Sequence, residues 1–279
     1  MSGTGCLLFF PGTRPELLPK AIASGASRVC VDLEDAVAAG AKSEARASVI
    51  RLFEEQPAFP GLGVRINHPS TSEGALDLEA IGGLGRLPDP LTIMLPKTDS
   101  PEQVNDVREC LTRPLGEVWL IPVVETLRGL SQVEHIAAAR GVSALLFGGL
   151  DLSVALGCAL EWEALLYARS RCVHSARLAG VEMIDTPFFD VEDPDGLRRE
   201  SARARRLGFT GKAAIHPSQV AVIEEAFAPT DEDVDRARRV IAASERERRG
   251  AFLLDGVMID RPTVEAARRL VDRCGTKEE

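Results

Sequence analysis

The sequence predicts an α/β fold in which eight parallel strands close into a (β/α)8 TIM barrel, followed by a C-terminal helical and hairpin extension. Three observations carry that expectation. Short apolar runs of strand length alternate with segments of helical spacing as far as residue 216. The runs number eight, whereas an open doubly wound sheet uses about five or six. The chain has 279 residues, close to the roughly 250 that such a barrel occupies.

The elements follow in order. A first strand is expected at residues 6–10, running into "PGTRP", and a second at 28–32, running into "DLEDAV". Residues 42–55 have helical spacing, and 63–66 and 92–95 supply the third and fourth strands. A helix over 101–111 announces its start with Ser100 before Pro101, a proline at the first helical position. The fifth strand, 118–124, is an apolar run of the kind buried on both faces, and a helix over 130–139 follows it. Strand six at 144–148, a helix over 161–179, strand seven at 181–185, a helix over 194–207 opened by Asp193 and Pro194, and strand eight at 212–215 complete the alternation. Helices over 217–226 and 231–248 come next, then "AFLLDGVMID" as a hairpin turning at Asp255–Gly256, and a last helix from 262 to about 274. The chain thus divides into a barrel over 1–228 and an extension over 229–279.

Composition excludes several classes. Hydrophobic residues make up 45% and charged residues 27%, the balance of a globular protein. A net charge of -9 argues against nucleic-acid and anionic-membrane partners. "CLLFF" is too short for a signal-peptide core, and no apolar stretch approaches a membrane span. The six cysteines form no C-x-x-C pair and read as reduced thiols of a cytoplasmic protein.

Each expected strand ends in a polar group: Arg14; Asp32, Glu34 and Asp35; Arg65 and Asn67; Lys97; Glu125; Asp151; Asp185; Lys212 and His216. In a parallel barrel these ends share one rim, where barrel enzymes do their chemistry. Glu125 and Asp151 follow consecutive strands and can converge on a hard cation such as Mg²⁺, which keeps several waters and completes its shell with substrate. The structural alternative is that each caps a helix or pairs with an arginine. Arg65 offers the bidentate geometry that holds a carboxylate, or it salt-bridges to Glu34 or Asp35. Arg14, Lys97 and Lys212 stay open between site and scaffold. His68, His135, His174 and His216 show no metal-ligand spacing, and "GGLG" completes no dinucleotide fingerprint.

Taken together, "LFFPGTRPE", "VDLEDAV" with "KSEAR", "VRIN", "PVVETLRGL", "LLFGGLDLS", "GKAAIHPSQ" and "GVMIDRPTVEAARRL" resemble the citrate lyase β-subunit (citryl-CoA lyase) family, within the HpcH/HpaI aldolase and malyl-CoA lyase superfamily. The resemblance spans nearly the whole chain. It implies a TIM barrel, assembled as a homotrimer, that binds Mg²⁺ and cleaves or forms a carbon–carbon bond beside a CoA or acyl-carrier thioester. One such substrate is citryl-CoA, which yields oxaloacetate and an acetyl thioester. By position, Glu125 and Asp151 are the implied metal ligands, and Glu125 also touches substrate. Arg65 would hold the keto acid, and Glu34 and Asp35 would order metal-bound water. Asp260 of "MIDRP" would enter a neighbouring subunit's site, which gives the extension a purpose. Arg14, Lys42 and Arg46 are the candidates for holding CoA. Two alternatives remain: an aldolase acting on free hydroxy-keto acids, or a subunit inactive outside a citrate lyase complex with other subunits.

Overall fold

The computed structural model describes residues 5–55, 61–84, 91–115, 118–247 and 250–275. Eight strands, β1 Gly5–Pro11, β2 Arg28–Asp32, β3 Leu62–Arg65, β4 Leu91–Leu95, β5 Val118–Val124, β6 Ala144–Phe147, β7 Glu182–Asp185 and β8 Gly211–Ala214, form a closed barrel. Every neighbouring pair is parallel, and β1 pairing with β8 closes the ring. These boundaries lie within one or two residues of the sequence expectation, the ordinary uncertainty of a strand end.

The helices run in chain order as α1 Leu18–Ala23, α2 Lys42–Glu55, α3 Ser72–Gly82, α4 Pro101–Leu115, α5 Leu127–Ala137, α6 Gly149–Leu156, α7 Leu166–Ala179, α8 Pro194–Leu207 and α9 Val220–Phe227. Local chemistry sets several of their starts. Thr71, Thr126 and Asp193 each accept the amide of the residue three positions on, so α3, α5 and α8 begin where an N-cap side chain stands. Gly157, Gly180 and Gly208 close α6, α7 and α8 in left-handed backbone. Helices α1, α3 and α6 were not expected from spacing. Six to eleven residues give too few turns for a periodic signal, and α6 reads "GLDLSVAL", apolar on most sides.

Strand alternation decides which residues see the lumen. Leu7, Cys30, Met94, Ile121, Val123, Leu146, Ile184 and Ala213 pack together inside the barrel. Their outward neighbours, such as Val29, Val31, Val64, Ile93, Leu120 and Leu145, pack with the helices in the larger core. The period of two continues to the strand ends. Asp32, Arg65 and Glu125 fall on the lumen side, in step with Cys30, Gly63 and Val123.

The same parity turns Asp185 and Lys212 the other way. Instead of joining the rim, Lys212 is fully buried in the helix layer, where its Nζ donates to Asp185 Oδ2 at 2.7 Å and to Glu200 Oε1 at 2.7 Å. Arg169 Nε donates to Asp185 Oδ1 at 3.1 Å, and its guanidinium lies 4.5 Å from the Trp162 ring centroid and 5.0 Å from that of Phe147. Burial alone would raise the Asp185 carboxyl, but Lys212 and Arg169 outweigh it and hold the group below its ordinary value.

Residues 4–227 form one compact unit, and residues 228–279 belong to a second. The second contains α10 Asp231–Glu247, the antiparallel strands β9 Ala251–Leu254 and β10 Val257–Asp260, and α11 Arg261–Gly275. The expected end of the 231–248 helix, residue 248, lies outside the described residues. The hairpin turns at Asp255 and Gly256, both left-handed, as a two-residue loop matched to strand twist requires. Ala237, Val240, Ile259, Val264 and Ala267 give this unit a core of its own. Among the described residues, no helix is long and apolar enough to cross a membrane.

Candidate functional site

The mouth of the barrel over β2 to β6 carries the charges. Asp32 ends β2 in register with Arg65 at the end of β3. The two join through a double hydrogen bond, Arg65 Nε to Oδ1 at 2.8 Å and Nη2 to Oδ2 at 2.5 Å. Asp32 also accepts the amides of Glu34 at 2.8 Å and Ala36 at 3.0 Å, which folds the loop after β2 back over the mouth. Lys42 ties that loop down from α2, its Nζ donating to the carbonyls of Leu33 at 2.7 Å and Glu34 at 2.6 Å. Arg65 is held in turn from below by the Phe9 ring, 5.2 Å from its guanidinium carbon. Burial opposes its charge, yet Asp32, Glu34 and Asp35 raise its pKa.

Glu125 follows β5 and is buried. Its Oε1 accepts the amide of Lys97 at 2.7 Å. Lys97 itself adopts a left-handed conformation, φ +48°, uncommon for a side chain of this type. The Lys97 ammonium reaches across to Glu34 Oε1 at 2.6 Å and stands 3.8 Å from Asp35. Opposite, Gly148 leaves room for Glu125: a Cβ there would collide with the Glu125 Cβ and stand 2.5 Å from its Oε2. Asp151 lies in the first turn of α6, immediately past Gly148.

Lys97 draws two of these acids together, Glu125 at its amide and Glu34 at its ammonium. Burial first, then the charges of Glu34 and Asp151, push the Glu125 carboxyl up to about 8, against the pull of the Lys97 amide. Burial likewise raises Glu34, with Arg65 and Lys97 opposing. Glu34 Oε2 sits 3.1 Å from Arg65 Nη1 but is buried without an aligned hydrogen bond among the described residues. Carboxylates this close repel one another unless a cation stands between them. The donor set is oxygen only, and no group of three or more His, Cys, Asp or Glu able to cage a metal occurs among the described residues. Two carboxylates plus an orphaned acceptor match what a hydrated Mg²⁺ takes from a protein.

The other expected site residues are dispersed. Arg14 is exposed and pairs with Glu16. Arg46 is engaged by Glu73 and, at 2.6 Å, by Asp77, a buried carboxylate that also accepts the Asn67 amide at 2.8 Å. Asp260 stands in the second unit, where its Oδ1 accepts the Thr263 hydroxyl at 2.7 Å and amide at 3.1 Å and so opens α11. Two participants, Asp32 and Lys97, stood among the expected rim groups without an assigned role. Asp32 was visible as an acid in phase with the lumen residue Cys30. Lys97 stayed open between site and scaffold, because nothing in the residue type announces a left-handed backbone.

A family model described as HpcH/HpaI aldolase/citrate lyase matches residues 6–217, the stretch that builds this mouth. The chain belongs to that family. Known relatives align along nearly its whole length. Citrate lyase subunit beta of Haemophilus influenzae is 32% identical and aligned over 98% of both chains. The mitochondrial citramalyl-CoA lyase of Homo sapiens is 33% identical over 95% of this chain and 84% of its own. Among solved structures, CitE from Mycobacterium tuberculosis in complex with magnesium, acetoacetate and coenzyme A is 34% identical, covers 98% of this chain and 99% of its own, and superposes with a TM-score of 0.83.

Proposed function

We propose that the chain is a Mg²⁺-dependent carbon–carbon lyase. In this reading it cleaves or forms a β-hydroxyacyl-CoA or acyl-carrier thioester such as citryl-CoA, with a keto acid such as oxaloacetate and an acetyl thioester on the other side of the reaction. The observation that carries it is geometric: the Lys97 amide and ammonium join Glu125 and Glu34 at one mouth beside an oriented guanidinium, and Asp151 opens α6 just past Gly148, which abuts Glu125. The relatives named for citrate and citramalyl-CoA lyases, and the CitE complex with magnesium, acetoacetate and coenzyme A, support the same assignment.

Glu125 and Asp151 would hold the metal, with Glu34 and Asp35 accepting from its waters. Bound there, Mg²⁺ supplies Lewis acidity and a template for the carboxylate and carbonyl oxygens of the keto acid. Arg65, fixed by Asp32, presents its remaining N–H groups to the oxygen on which negative charge develops, a role worth about 3 kcal/mol elsewhere. Cleavage gives the proton of the β-hydroxyl to water, breaks the bond between the β- and α-carbons, whose electron pair goes to the thioester enolate, and then adds a proton to the α-carbon. Asp260 is assigned that last transfer, from a neighbouring copy. The Thr263 hydroxyl and amide hold its carboxyl below the ordinary range, so it is ionised at neutral pH, the form that accepts the α-carbon proton in the condensing direction.

A feature of the hairpin favours sharing between copies. Leu253 and Met258 pair across β9 and β10 at 73% and 67% exposure, on the face that also carries Asp260 beside Ala251. An apolar strand face left open beside a reactive carboxylate suits burial in an oligomer, which we take to be a homotrimer. The cysteines of the described residues whose state is defined, Cys6, Cys30, Cys110, Cys158 and Cys172, are free thiols, which suits the cytoplasm.

Cleavage of citryl-, malyl- and citramalyl-CoA with and without Mg²⁺ tests the assignment. Turnover of at least one thioester that stops on chelation is expected, and metal-independent turnover overturns it. Cleavage of the corresponding free acids at equal rate would favour an aldolase that ignores CoA. Activity confined to preparations that retain acyl-carrier and transferase subunits would mark a citrate lyase subunit.

A further inference from the structure

We propose that Lys97 is a two-ended positioning residue, its main chain setting Glu125 and its ammonium setting Glu34; this rests on the reading of the mouth as a Mg²⁺ site. Lys97 follows β4 and sits between the two acids. Its amide donates to Glu125 Oε1 at 2.7 Å, and its Nζ donates to Glu34 Oε1 at 2.6 Å. The two bonds leave the residue in different directions from a left-handed backbone, φ +48°. An extended or helical φ at this position would swing the side chain and the following loop about the N–Cα bond relative to that amide and break the present arrangement.

Each bond leaves the second oxygen of its acid for other use. Glu34 Oε2, facing Arg65 Nη1 at 3.1 Å without hydrogen-bond alignment, is one such atom. Glu125 Oε2, lodged in the space where Gly148 has no Cβ, is the other. A left-handed lysine is strained by about 1 kcal/mol relative to glycine, and strain of this kind persists where the surroundings hold a conformation needed for function. Lys97 touches neither reacting carbon in this assignment, so its effect passes through Glu125 and Glu34.

The two ends are separable by substitution. Lys97→Gly removes the ammonium and keeps the left-handed amide at no steric cost. Lys97→Val removes the ammonium and also resists the left-handed backbone through its branched Cβ. Isothermal calorimetry with MgCl2 on the full chain reads the main-chain end. Lys97→Val is expected to bind Mg²⁺ about tenfold more weakly than Lys97→Gly, a comparison in which the lost charge cancels. Thioester cleavage at saturating Mg²⁺ reads the side-chain end. In Lys97→Gly, kcat is expected to fall about tenfold or more with KM within about twofold, and propylammonium in the assay to restore part of kcat.

Equal Mg²⁺ affinity in the two variants, or undiminished kcat in Lys97→Gly, overturns the proposal. Failure of the wild-type chain to bind Mg²⁺ at all would instead remove the reading on which it rests.

Discussion

At the scale of single residues, the mouth tolerates almost no added volume on one side and no loss of charge on the other. Gly148→Ala adds one carbon where Glu125 already lies, and its own backbone, φ -88°, accepts alanine without strain. The side chain of Glu125 must therefore move. Calorimetry should show Mg²⁺ affinity reduced about tenfold or more in Gly148→Ala, with an unchanged circular dichroism spectrum. Arg65→Lys exchanges a planar fork held by two bonds to Asp32 for a single ammonium. Steady-state kinetics should show kcat lower by about 100-fold, because the donor aimed at developing charge is lost. Arg65 and Glu125 were legible as charges following apolar runs. Asp32 and Lys97 were not assigned roles because theirs depend on which way a strand residue faces and on one dihedral angle.

At the scale of elements, the strands were legible because a barrel strand buried on both faces is a continuous apolar run, whereas α1, α3 and α6 are too short to show a period. Parity was the information missing from a reading by strand ends. It separates Glu125, which faces the lumen, from Asp185 and Lys212, which face the helices and clamp β7 and β8 to α7 and α8. Because Asp185 is held below its ordinary value, its contribution to stability is complete above the unfolded value of about 3.9 and is lost as the pH falls through the lower folded value. Asp185→Asn removes the buried carboxylate that Arg169 and Lys212 share, and leaves Lys212 only Glu200. Urea denaturation at about pH 6 should find it less stable by about 3–5 kcal/mol. The gap to wild type should narrow when the titration is repeated at about pH 3, below the unfolded value, where the Asp185 carboxyl of the unfolded chain is protonated and favours unfolding.

For the molecule as a whole, two compact units with separate cores fit a barrel that binds and an extension that reaches another copy. Glu125→Gln spoils one copy's barrel, and Asp260→Asn spoils another's extension. If sites are shared, co-refolding equal amounts of the two inactive variants should restore about a quarter of wild-type thioester cleavage, since half the barrels and half the extensions remain intact. If each copy is self-sufficient, the mixture stays inactive. Truncating Leu253 and Met258 to serine should shift size-exclusion elution toward the single chain while leaving the barrel's thermal transition in place.

The polar web at the barrel's open end is lopsided. Its hydrogen bonds run among the ends of β2, β3, β4 and β5, while the loops after β7 and β8 offer Phe189, Val191 and Ile215, greasy and half open to solvent. On the proposed assignment the charged sector would do the chemistry and the apolar one would be left to meet an acyl chain. Substituting Phe189, Val191 and Ile215 would then change which thioester is accepted and leave the charged sector untouched.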